Sequence, residues 1–252
     1  MLDPQRSDMN TSANAKAVLR STDEKENFHR LTRLLMCGGV TLLREKFDSF
    51  HSPTDLQARL GDPTIFRKLN KAKLSQPERD ILYPRTGTFV KSTDFNITLT
   101  FRLLRTICNL TEPLTGWNTL PNSTDHSLEA ELARIKHYRN YFCHHRTMEI
   151  NNSEFDNLWK DISEALLRIA ESISKEKRRE WEKAITEFRN SRLTREDQRY
   201  LDELKLWYNK DMKDVKDAVG QLGGQLQHVE DAVGQLKDQL QQVSQKQGKV
   251  KT

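Results

Sequence analysis

Residues 133–148, ARIKHYRNYFCHHRTM, decide how the rest of the chain is read. Upstream and through this stretch, Leu128, Leu132, Ile135 and Phe142 recur at spacings of four, three and seven, the stripe of an amphipathic helix facing a core. Arg139 falls within about 40° of Leu132 and Ile135 on the helical wheel, so its guanidinium starts from an inward direction. A guanidinium there stays charged and needs an anion. Two sources are open: an internal carboxylate such as Glu131, Glu149 or Glu154, or a phosphate brought by a ligand. At the end of the same helix stand His144 and His145.

Working outward, the pattern predicts further helices and no strand. Ser21 and Glu24 have capping-box spacing ahead of Phe28, Leu31, Leu34, Leu35, Leu42 and Phe47, a first long helix interrupted by Gly38 and Gly39. Paired glycines inside a helix mark a kink or a close approach of another helix. Residues 50–93 hold Pro53, Pro63, Pro77 and Pro84 and read as an elaborate connection with short helices at 64–73 and 77–83. A second long helix is expected from Asp94, carrying Phe95, Leu99, Leu103, Leu104 and Ile107. Asp125 is the expected N-cap of the arginine helix, and Ser153 that of a fourth helix with Phe155, Leu158, Ile162, Leu166 and Ile169 on one face. Beyond Ser174, Trp181, Ala184, Ile185 and Phe188 continue the apolar face, and the basic run KEKRR (175–179) reads as a solvated helix surface. The fold class is therefore all-α, a helical bundle.

From Met212 to Val243 the apolar positions alternate three and four apart, through Val215, Val219, Leu222, Leu226, Val229, Val233, Leu236 and Leu240. Within this run DAVGQLGGQLQHVE (217–230) is followed by DAVGQLKDQLQQVS (231–244), a tandem 14-residue repeat. Gly220, Gly223, Gly224 and Gly234 make it a poor helix alone, so oligomerisation should supply much of its stability. The expected organisation is a disordered tail over 1–20, a helical domain over 21–190, a long helix or coiled coil over 194–246, and a tail over 247–252.

Composition narrows the function classes. The net charge of +5 comes from 41 basic residues interspersed with 36 acidic ones, which permits nucleic-acid binding without demanding it. Cys37, Cys108 and Cys143 form no CxxC pair, so neither a zinc finger nor a disulfide framework is indicated. No metal or other cofactor is expected: adjacent ligands among His137, Cys143, His144 and His145 would point apart on a helix. A nucleophilic Cys143 beside a histidine lacks an identifiable third orienting residue. With no long apolar run, the expectation is a soluble, cytoplasmic protein without a membrane partner.

The segment Arg139-Asn140-Tyr141-Phe142-Cys143-His144-His145 resembles the Arg-Asn-x-x-x-(x)-His signature of the HEPN superfamily. Its surroundings, from STDFNITLTFRLLRTICNL through GWNTLP and TDHSLEAELARIKHYRN to SEFDNLWKDISEALLRIA, are similar to the HEPN subfamily named for the DAZ-interacting zinc-finger ubiquitin ligase. That resemblance spans roughly residues 25–190 and leaves the heptads outside it. It implies a helical bundle that dimerises so that two Arg/His motifs face one cleft, and, in active members, a metal-independent endoribonuclease. In invertebrate proteins of this kind the domain is often joined to effector or NTPase modules of innate defence.

The implied site residues are Arg139, Asn140, His144 and His145. A histidine can take the proton of a ribose 2′-hydroxyl near neutral pH, and the arginine can hold the charge that develops on the phosphorus-centred group. Asn140 would orient the pair or the phosphate. In the subfamily pattern Tyr-Gly precedes the histidine; here Cys143-His144 stands in that place, so His145 aligns as the motif histidine and His144 replaces a glycine. On an ideal helix neither histidine faces Arg139, His144 lying about 140° and His145 about 120° away on the other side. A dimeric cleft or an unwound helix end would resolve this. The expected partners are accordingly RNA, a second copy of the chain, and an effector protein. The rival expectation is a non-catalytic oligomerising scaffold in which HEPN and coil pairing recruit partners and Arg139 is structural.

Overall fold

The computed structural model describes residues 23–72, 74–85, 88–194, 199, 200, 202, 204, 219, 220, 222, 223 and 225–237. The expected tails over 1–20 and 247–252, and Ser21 of the expected capping box, lie outside these residues. Among them every regular element is helical. We label the α-helices α1 (residues 23–33), α2 (Val40–Phe50), α3 (Leu56–Leu60), α4 (Pro63–Lys71), α5 (Gln76–Leu82), α6 (Ile97–Ile107), α7 (Leu128–His144), α8 (Asn152–Glu171) and α9 (Lys175–Asn190). A π-helical turn, Leu34–Gly39, joins α1 to α2, and a 3₁₀ turn, Ser92–Asp94, precedes α6.

The expected first long helix is thus one rod with a π turn at the glycine pair. Helix α9 runs past the pair at ordinary contact distance: a Cβ on Gly38 would sit 3.4 Å from Trp181 and 3.5 Å from Phe188. Widening the helix by one residue in that turn lets the backbone follow its neighbour, as π turns commonly do. The Trp181 indole N–H also donates to the Glu45 carboxylate at 3.1 Å, and Lys177 pairs with the same group at 3.2 Å, fastening α9 to α2.

The core lies where α2, α6, α7 and α8 meet. Leu42, Leu43, Leu99, Leu103, Leu132, Ile135, Ile162 and Leu166 are fully buried there. Shortening one such side chain to Ala costs about 2–5 kcal/mol, so the bundle is set by these stripes. Cap assignments differ from the sequence expectation by a residue or two. Ser127 caps α7, its Oγ accepting from the Ala130 N–H, while Asp125 accepts from Ser127 one step earlier. Asn151 rather than Ser153 caps α8, and Asn96 caps α6, which starts at Ile97 rather than Asp94. In each case two capping-type residues lie close together, and the one with extended backbone at the helix entrance takes the role.

The proline-rich connection builds a wall. Asp62 caps α4 with Pro63 at its first position, and Ser75 and Glu78 form a reciprocal capping box on α5. The same Glu78 oxygen accepts from Arg102 at 2.8 Å, which anchors α5 to α6. α4 packs on α6 directly.

Contacts divide the chain into residues 1–204 and 205–252. Leu204 is buried, and its carbonyl lies 3.9 Å from the Cys143 Sγ, so the segment up to this point belongs to the first unit. In the second unit the described residues are helical, and Val219, Leu222, Leu226, Val229, Val233 and Leu236 are all more than half exposed.

Candidate nucleic-acid interface

Helix α7 carries the site and is locked at its start by a buried carboxylate. Glu131 is 1% exposed; its Oε1 lies 2.9 Å from Arg134, 3.3 Å from Arg168 on α8 and 3.4 Å from His126. Arg134 in turn donates to the Asn122 carbonyl. Without Glu131 the nearly buried Arg134 would lose its carboxylate, while Arg168 would keep Glu164 at 2.9 Å. Further along the helix, the Tyr138 hydroxyl donates to Asp161 of α8 at 3.1 Å, and burial together with that carboxylate holds the phenol well above its ordinary range.

Arg139 points inward as its wheel position requires, with 7% of its surface exposed. Its guanidinium donates to the Thr98 hydroxyl on α6 at 2.7 Å and to the Asn140 side-chain oxygen at 2.8 Å. The structure therefore brings Arg139 and Asn140 together, as the motif implies. Of the carboxylates considered for an internal pair, Glu131 serves Arg134 and Arg168, Glu149 pairs with Lys25 at 3.6 Å, and Glu154 accepts from the Tyr141 hydroxyl at 2.6 Å.

Arg139 lines a cleft of ≈ 440 Å³ between α4, α6 and α7. Each helix brings two cations three residues apart: Lys68 and Lys71 from α4, Arg102 and Arg105 from α6, Lys136 and Arg139 from α7. Three-residue spacing places both members of a pair on one helix face. No carboxylate is among the described residues that line the cleft, although Glu78 behind it takes part of the charge of Arg102. Its apolar floor is the little surface that Ile97 and Phe101 expose, with the fully buried Leu43 and Ile135 behind them. Lys136 is held over the Phe101 ring at 5.5 Å and donates to Asn118 at 2.5 Å; Arg105 lies 5.5 Å over Trp117. Those cations are thus positioned by aromatic faces rather than left to wander.

The histidines occupy different surroundings. His144 is exposed on the last residue of α7. His145 is the C-cap, in extended conformation, so the helix does unwind there. Its ring stacks 5.5 Å from Phe28 of α1 and 5.4 Å from Tyr141, and its Nδ1 is buried without a hydrogen-bond partner. His145 is not among the residues lining the Arg139 cleft. Burial and the neighbouring Glu154 push the Tyr141 phenol up to about 12. Cys143 is half-buried, and His137 is held below its ordinary value by burial. Among the described residues no group of three or more His, Cys, Asp or Glu side chains is arranged to hold a metal ion.

The profile of the DZIP3/hRUL138-like HEPN family matches residues 53–201, more than half of the chain. The chain belongs to that HEPN family. The match takes in the walls of the cleft and all of α7, and begins after α1, the helix that supplies Phe28. Among curated proteins, the E3 ubiquitin-protein ligase DZIP3 of Homo sapiens is 26% identical over 148 residues, and so is that of Mus musculus. Each match covers 56% of this chain but 12% of the relative, so the chain corresponds to a small part of those ligases. No solved structure matches.

Within this HEPN domain, the sequence reading misses Lys68, Lys71, Arg102, Arg105 and Lys136. Their three-residue spacing is a usable signal, but cations on a helix surface are ordinarily solvated. That ordinary reading does hold for the KEKRR run, where Lys177 pairs with Glu180 and Arg178 with Glu171 and Glu182. Among the described residues no helix is long and apolar enough to cross a membrane.

Proposed function

We propose that this protein is an RNA-binding HEPN protein that cleaves RNA without a metal, with Arg139 and His145 as the central pair across a homodimer. The observation that carries the reading is Arg139 opening into a cleft where cations from α4, α6 and α7 converge. Such a site attracts a polyanionic backbone and concentrates it electrostatically. Because His145 packs on Phe28 rather than lining the same cleft, the reading has the histidine of one copy serve the arginine of the other. His145 takes the ribose 2′-hydroxyl proton as that oxygen attacks phosphorus. The 5′-oxygen leaves with a proton supplied by His144, giving 2′,3′-cyclic phosphate and 5′-hydroxyl ends. Arg139 stabilises the developing charge, Asn140 keeps the guanidinium aimed, and His144 stands beside the leaving group.

Binding is tested by titrating labelled single-stranded RNA against the full chain at several salt concentrations. Arg139→Ala should weaken binding about tenfold to a hundredfold. It should also reduce the slope of log affinity on log salt by about 0.7, the share of one phosphate contact to a single strand. Unchanged affinity and slope would remove Arg139 from the interface.

The exposed heptad face supports a second reading, a scaffold assembled by the coil that recruits an effector protein. On that reading, deleting residues 210–252 reduces the number of copies per particle in light scattering while RNA plays no part. A role in innate defence and a cytoplasmic location belong to both readings.

A further inference from the structure

The second unit carries an apolar face that its own described residues leave open. Val219, Leu222, Leu226, Val229, Val233 and Leu236 follow one another three and four residues apart on helical backbone, each 58–63% exposed. The glycines among them serve no close packing within the described residues: a Cβ on Gly220, Gly223 or Gly234 would meet nothing within 4 Å. Each weakens the helix relative to Ala with no contact to offset it. Such a helix depends on whatever covers its apolar face.

Charge selects the occupant. Over the tandem repeat, 217–244, Lys237 stands alone against Asp217, Glu230, Asp231 and Asp238, so neither an RNA backbone nor an anionic bilayer is drawn to it. A second copy of the same helix fits, because heptad spacing is the pattern by which helices interlock, with Val219 at position a and Leu222 at position d. The flanking e and g positions then include Asp211, Lys216, Glu230 and Lys237, the first two outside the described residues. In a parallel pair in register, position g of one helix meets position e of the other in the next heptad. Asp211 then faces Lys216 of the second copy, Glu230 faces Gln225 and Lys237 faces Ala232, with no like-charge pair between residues 205 and 244. The apolar positions from Met212 to Val243 all meet their counterparts. The alternatives bring like charges together. A slip by one 14-residue repeat, which the core would tolerate, sets Asp211 against Glu230. An antiparallel pair over the same apolar positions sets Lys216 against Lys237, or Glu230 against itself across the two-fold axis.

We infer that residues 211–243 pair with a second copy of this chain as a parallel, in-register coiled coil, with Asp211 and Lys216 setting the register. The inference rests on the reading in which the coil assembles the chain, and deepens it by naming the partner, its direction and the residues that choose both. Each chain enters such a coil from the same end, so two copies of residues 1–204 are tethered there and raise each other's effective concentration. A site shared between Arg139 of one copy and His145 of the other gains from that tether.

The test is sedimentation equilibrium of the full chain at low salt, where exposed charge pairs are least screened. It compares the wild type, Asp211→Lys, Lys216→Asp, an equimolar mixture of those two variants, and a chain lacking residues 210–252. Each variant alone should self-associate about tenfold more weakly than the wild type, since like charges replace both opposite pairs. The mixture should return to within about threefold of the wild type, because both pairs are opposite again in the mixed dimer. Both substitutions lie outside residues 1–204, so the helical domain is the same throughout. Lys216→Asp associating as tightly as the wild type or more so, or a mixture no tighter than its components, overturns the inference. In that case weaker association of the deleted chain leaves coil assembly standing, and unchanged association removes both.

Discussion

The two sides of α7 separate what the linear motif joins. Arg139 faces α6 and a cationic cleft, held by a hydroxyl and an amide; six residues later His145 faces α1, its ring between Phe28 and Tyr141. One side is polar and open to an anion, the other aromatic and packed. A short spacing in sequence therefore does not bring two side chains to one point, because a helix turns about 100° per residue. On the proposed reading, the arginine side binds within one copy and the histidine side is completed by assembly.

The largest expected effect lies upstream of both sides, where Glu131 fixes the entrance of α7. Glu131→Ala should destabilise the domain by about 3–5 kcal/mol, since the nearly buried Arg134 is left without its carboxylate. Denaturant unfolding measures this. A loss below about 1 kcal/mol would mean Arg134 finds another partner and the helix is positioned by its apolar stripe alone.

The histidine side gives a smaller and more discriminating effect. His145→Ala opens space beside Phe28 and should lower stability by about 1–3 kcal/mol. His145→Phe keeps a ring there and removes the buried unpaired Nδ1, so stability should stay within about 1 kcal/mol of wild type or rise. Cleavage should be lost in both. If His145→Phe retained cleavage, His145 would be a packing residue only.

The smallest effect is a pH dependence. Burial holds His51 and His137 below the ordinary value of 6.5, and nearby Arg59 adds to this for His51. The folded state then binds fewer protons than the unfolded one in acid. The stability associated with these neutral rings is present above about pH 6.5 and is lost as pH falls through their lowered folded values. His51→Gln should flatten part of that decline in thermal melts between about pH 7 and 5. An unaltered profile would place the acid sensitivity elsewhere.

How much of this can be read in advance follows from how local each cause is. Spacing locates the long helices, since Leu132, Ile135, Ile162 and Leu166 all fall on the stripes and are fully buried. It also turns Arg139 inward. The paired glycines mark the place of the π turn, but nothing local in the sequence specifies a π rather than an α turn there. The cleft is not readable either: α4 and α6 lie far apart in sequence, and only the fold of the proline-rich connection puts their cations together. The stacking of His145 on Phe28 is likewise a tertiary contact between opposite parts of the domain's sequence.

The most direct test is cleavage of a mixed pool of single-stranded and hairpin RNA in EDTA by the wild type, Arg139→Ala and His145→Phe at equal concentration. The account predicts cleavage by the wild type alone, with 2′,3′-cyclic phosphate ends, and partial recovery when the two variants are mixed, because one intact arginine and one intact histidine then meet across a heterodimer. Equal activity in all three proteins, or no activity in a folded and dimeric wild type, would contradict it.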